Sequence, residues 1–66
     1  MAVLKVIELL GQSTVSWEDA VQQCVREASE SIRNIRSVYV KNFMAEVAEG
    51  QITHYRVNVK VTFRVE

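Results

Sequence analysis

The chain has one cysteine and one histidine, and it carries no excess of charge of either sign. With Cys24 alone, no internal disulfide can form. With His54 alone, there is no Cys/His zinc cluster. Lys+Arg and Asp+Glu are both 8, so the formal net charge is zero. A nucleic-acid-binding domain usually shows a clear basic excess, so nucleic acid is not an expected partner. No apolar run reaches the roughly 18 residues of a membrane span, so no membrane is expected either. The segment Met1-Ala2-Val3-Leu4-Lys5 lacks the basic start and long apolar stretch of a signal peptide. These absences predict a cytoplasmic protein, and a free thiol agrees with that compartment. There is no internal repeat, linker or low-complexity segment.

The chain has 66 residues, enough for one domain. Such a domain buries only about 60% of its unfolded surface, so a lone core is marginal. Small scaffolds rely on disulfides, metals or partner subunits. With the first excluded and no zinc cluster to call on, association is the remaining support. Apolar content is 48% and charged content 24%, which is globular rather than disordered composition.

The patterns predict an α+β chain in the order β-α-β-β. Residues 2–10 are rich in β-branched and aliphatic side chains and read as a strand. Gly11-Gln12-Ser13-Thr14 follows with turn chemistry. Ser16 is a good N-cap for a helix over 16–34, and Asp19 can reach back in a weak capping box. Trp17, Ala20, Val21, Cys24, Val25, Ala28 and Ile32 then recur at spacings of three and four, forming one apolar stripe. Residues 35–48 alternate imperfectly. Val38 and Val40 share one parity, and Phe43, Ala45 and Val47 the other, which predicts a bend or bulge midway. Glu49-Gly50 is a turn signal. Residues 51–65 alternate cleanly, with Tyr55, Val57, Val59, Val61, Phe63 and Val65 on one face. The last two segments predict a long antiparallel hairpin. One helix cannot cover strands of that length or hide their edges, so the sheet predicts self-association.

The ordered set Lys5-Val6-Ile7-Glu8, Gly11-Gln12-Ser13, Ser16-Trp17-Glu18-Asp19-Ala20, Ser31-Ile32-Arg33-Asn34-Ile35, Gly50 and His54 through Glu66 resembles the dodecins along essentially the whole chain. The resemblance implies a three-stranded antiparallel sheet wrapped around one helix. It also implies a hollow homododecamer and storage of a small ligand without turnover. Flavin (riboflavin or FMN) is the nominal ligand, stacked on a tryptophan and held at its edge by a glutamine. In this chain the tryptophan position falls on Ser37, the glutamine position on Arg56, and an acidic neighbour on Asn42. A serine offers no ring, and a lost aromatic partner costs about 0.5–1.5 kcal/mol beyond its area. Calcium dodecins also lack the stacking tryptophan. They resemble this chain at Ser16-Trp17-Glu18, Ile35-Arg36, Met44-Ala45 and Ile52-Thr53, so the resemblance implies as an alternative a flavin-free variant that binds calcium or another small ion. Glu18, Asp19, Glu46 and Glu49 could supply oxygen, but their spacing matches no calcium loop.

Other chemistry-bearing residues read more plainly as structural. Cys24 lies in the apolar stripe and reads as buried packing. His54 is expected at a surface or interface, and Trp17 as an anchor where the helix begins. Arg56, Lys60 and Arg64 form a basic row on one strand face, expected to pair with carboxylates across a subunit interface or to hold an anion. Catalysis needs a nucleophile, base and orienting group within reach. Cys24 and His54 stand 30 positions apart on elements of opposite role, so no enzyme is expected.

Overall fold

In the computed structural model, which describes residues 3–65, the elements are β1 (Val3–Ser13), α1 (Trp17–Ser29), β2 (Ile35–Ala48) and β3 (Gln51–Val65). The three strands form one antiparallel sheet in the order β1-β3-β2. The strand with the cleanest alternation is therefore the central one. Val57, Val59 and Val61 are fully buried beneath α1. Each contributes about 1.5–3 kcal/mol relative to an exposed side chain. Ala20 and Cys24 face them from the helix, and Ile7, Leu9, Trp17, Val21, Ile35, Val38 and Val40 pack around that cluster.

The parity change in β2 is a bulge. Val40 pairs with Val59 and Asn42 with Asn58, leaving Lys41 as an extra residue. Further register shifts fall between Ile35 and Ser37 and between Glu46 and Val47. Bulges increase local twist, which suits a sheet that curls around one helix. The hairpin closes over Glu49 and Gly50, with φ of 53° and 76°. A two-residue type I′ turn needs positive φ at both positions.

Three expectations are corrected. Residue 2 of the expected first strand lies outside the described residues, but the strand runs on through Gly11, Gln12 and Ser13, which read as a turn. Gly11 serves contact with the helix instead. A Cβ there would lie 2.3 Å from Cys24 Sγ and 2.8 Å from the Ala20 carbonyl oxygen. The helix is also shorter than 16–34. It ends at Ser29, and the chain reverses through Asn34 at φ 63°. Ile32 still donates its N–H to the Ala28 carbonyl at 2.9 Å, so it prolongs the stripe without prolonging the helix. Finally, Ser16 Oγ does cap the helix, accepting from Asp19 N at 3.0 Å, but the Asp19 carboxylate does not reach back. It accepts from Ser13 Oγ at 2.6 Å and from Gln23 Nε2 at 2.7 Å. The two hydrogen bonds, Ser13 first, hold its carboxyl below the usual range.

Candidate ligand-binding face

The face of the sheet turned away from α1 is laid out in rows across the three strands. The register aligns Val6, Thr62 and Ser37 in one row, then Glu8, Lys60 and Tyr39. Next come Leu10, Asn58 and Asn42, followed by Gln12, Arg56 and Met44. Val6, Leu10, Tyr39 and Met44 are all exposed. This is an uncovered face of mixed apolar and polar character, crossed by the Glu8–Lys41 ion pair at 3.7 Å.

Arg56 is its most organised side chain. Nε and Nη2 donate to Gln12 Oε1 at 3.2 and 2.9 Å, and Nη2 also bonds the Glu46 carboxylate. One guanidinium thus ties a residue of β1 to one of β2 across β3. The carboxylate that meets Arg56 in the single chain is that of Glu46. These bonds use Nε and Nη2 of the guanidinium. Behind this corner, Trp17 donates Nε1–H to the Met44 carbonyl at 2.8 Å. Its ring meets Tyr55 and Phe43 edge-on, at 4.9 and 6.0 Å between centroids. Trp17 is therefore the anchor of the helix start, as its place in the stripe implied.

The three resemblance-derived positions share this face but not one site. Asn42 sits diagonally from Arg56, since it pairs with Asn58 two residues along β3. Ser37 pairs with Thr62, six positions from Arg56. At about 3.3 Å per residue that separation is roughly 20 Å. Two further residues of the face were given no role from the sequence. Asn58 Oδ1 is buried without a hydrogen-bond partner among the described residues. Tyr39 is 65% exposed and, by register, is the one aromatic side chain on this face. Its parity against Val38 and Val40 was a usable signal. The state of Asn58 had none, because it depends on neighbours contributed by two other strands.

Cys24 is buried, and desolvation pushes its thiol pKa up, so it is a poor nucleophile. His54 lies near Thr53, with Nδ1 3.2 Å from Oγ1. Among the described residues, no three His, Cys, Asp or Glu side chains are grouped to hold a metal ion. No helix among them is long and apolar enough to cross a membrane.

The dodecin family model matches residues 3–66. The chain belongs to the dodecin family. It is 39% identical over 66 residues to the calcium dodecin of Mycobacterium tuberculosis, covering 98% of this chain and 92% of that one. The solved structure of that protein, described as calcium-chelating, superposes with a TM-score of 0.84 at 35% identity, covering 97% of this chain and 91% of that one. A dodecin from Thermus thermophilus is 31% identical over 64 residues, covering 97% and 93%. A structure of the Streptomyces coelicolor dodecin superposes with a TM-score of 0.94 at 29% identity, covering 98% and 93%. The β-α-β-β order and the single sheet around one helix are the dodecin fold.

Proposed function

We propose that this dodecin is a non-enzymatic, cytoplasmic subunit that assembles into a hollow homododecamer and holds a small planar ligand between subunits. Flavin is the ligand expected from the family. The observation that carries this reading is the separation of Ser37 and Arg56 at opposite ends of one exposed face. A site using both ends must be composed from more than one chain. The uncovered Val6, Leu10, Tyr39 and Met44 supply the apolar surface such a joint needs.

The fit to a flavin is uneven. Ser37 cannot stack a ring. At the polar end, Arg56 offers a donor and Asn58 Oδ1 an unmet acceptor. Arg56, Asn42 and Asn58 are thus the residues that would hold the ring edge, with Tyr39 the nearest ring on the face. Bound flavin would supply its own redox and light-absorbing chemistry, which this reading does not require the protein to use.

The test is a riboflavin titration of the purified assembly, with its mass measured by light scattering. Quenched fluorescence and a mass near twelve subunits are expected. Unquenched riboflavin removes the flavin part, and a folded single chain removes the assembly. The likeness to calcium dodecin favours calcium as a second reading. Under it, calcium titration yields heat and raises the melting temperature, by the linkage of binding to folding. Neither effect would appear if calcium is not a ligand.

A further inference from the structure

We infer that His54 and Glu46, paired near the turn of the β2–β3 hairpin, form half of a transition-metal site that the same two residues of a second chain complete. The ion it fits is one that takes imidazole together with carboxylate, such as zinc. The sharing between chains rests on the self-association proposed above and not on the flavin reading.

His54 pairs with Glu46 across the two strands. Side chains paired in this way stand on the same face, with Cβ atoms about 4.5–5.5 Å apart. An ion held at about 2.0–2.2 Å from each ligand atom is within reach of both. The irregularity beside the pair decides the form of the imidazole. The register shifts between Glu46 and Val47, so Val47 pairs with Ile52 and Thr53 is the extra residue. Thr53 Oγ1 donates its proton to the Glu46 carbonyl at 3.3 Å. It has no second proton to give, so in its 3.2 Å contact with His54 it accepts, and Nδ1 carries the hydrogen. Neutral His54 therefore presents a bare Nε2, a ligating form of the ring. Glu46 is held as well, because Arg56 bonds its Oε2. Metal-bound histidines donate their second N–H to an oxygen, and metal-bound carboxylates are themselves hydrogen-bonded. Thr53 and Arg56 are partners of these two kinds.

Among the described residues no third His, Cys, Asp or Glu side chain joins the pair. Zinc is four-coordinate in structural sites, so two ligands from each chain require two chains. Val47 and Ile52, the next pair toward the turn, are 63% and 50% exposed. Contact between two hairpin ends covers these apolar side chains and sets two half-sites against each other. Calcium takes oxygen ligands, about six to eight of them, so the imidazole selects against it.

The experiment titrates tag-free, metal-free assembly with zinc by calorimetry, with mass followed by light scattering. Uptake of one zinc per two chains is expected, and His54→Gln should lose it. Thr53→Val keeps the shape of threonine without its hydroxyl. It should bind zinc about 10–100-fold more weakly, as loss of an outer partner does. Calcium at the same concentration should not displace the zinc. Wild type that takes up no zinc overturns the inference, and if its mass is still that of the assembly the proposed function stands. One zinc per chain overturns the sharing between copies. Unchanged zinc binding by His54→Gln overturns the ligand, and unchanged binding by Thr53→Val overturns the hydroxyl that orients it. Displacement by calcium overturns the choice of a metal that takes imidazole. A folded single chain both with and without zinc overturns the inference and the assembly together.

Discussion

Gly11→Ala tests whether the helix sits on the sheet as described. The added methyl would lie 2.3 Å from Cys24 Sγ and 2.8 Å from the Ala20 carbonyl oxygen. The sulfur belongs to a short side chain that is itself buried, and the oxygen belongs to the helix backbone. Rotating one χ angle relieves at most the first clash, so α1 must lift from β1. Overpacking of this kind costs about 1–3 kcal/mol. Replacing a strand glycine by alanine returns about 0.5–1 kcal/mol through the unfolded chain. Taking the middle of each range, the expected net loss is about 1 kcal/mol, read as a lower urea midpoint at fixed subunit concentration. In a Cys24→Ala background the same substitution should cost less, since the sulfur clash is gone while the Ala20 clash stays. That difference is the coupling a double-mutant cycle measures. If Gly11→Ala is as stable as wild type, or the two backgrounds give equal costs, the close approach of α1 to β1 is refuted.

Acid should reveal the link between the end of β1 and the start of α1. The Asp19 carboxyl is depressed by its bonds from Ser13 and Gln23, so its stabilisation is present above the unfolded value near 3.8 and is lost as pH falls through the folded value. Melting temperatures from pH 6 to pH 3 should therefore fall more steeply for wild type than for Asp19→Asn; parallel curves would refute this. Trp17→Phe keeps a ring beside Tyr55 but removes the donor to Met44 O. A loss of about 1 kcal/mol is expected in urea unfolding, and no loss would show that bond to be idle. Val59→Asp places a charge at a fully buried position beneath α1. The expected result is loss of the circular-dichroism signal of folded protein, and a folded variant would contradict the burial of β3.

The legible parts of the fold were those set by a chain's own periodicity. The strict alternation of 51–65 marked β3, and the parity change between Val40 and Asn42 marked the bulge at Lys41. Errors arose where one residue type serves two physical ends. Gly11 looked like a turn because glycine frees the backbone, whereas here it makes room for Cys24. Ile32 looked helical because it lies four residues after Ala28, whereas the chain turns through Asn34. The candidate site was less legible for a related reason. Arg56 meets Gln12, 44 positions earlier, through the β1–β3 register, and no local pattern records that pairing. Asn58 was placed on the correct face by alternation, but its unmet oxygen follows from three strands together.

The fully buried large side chains are three valines, and the helix meets them with Ala20 and Cys24. The bulkier groups lie elsewhere. Leu4, Leu10, Tyr39, Phe43, Val47 and Ile52 are half or more exposed in the single chain. A chain of this size that keeps small residues inside and large apolar ones outside leaves apolar surface that the proposed assembly would cover. Under that proposal stability depends on subunit concentration, because association draws the folded form forward by mass action. Dilution over two decades in the micromolar range should lower the melting temperature measurably and shift scattering toward smaller species. A melting temperature that ignores dilution, at a scattering mass of one subunit, would mean that this small valine core suffices by itself.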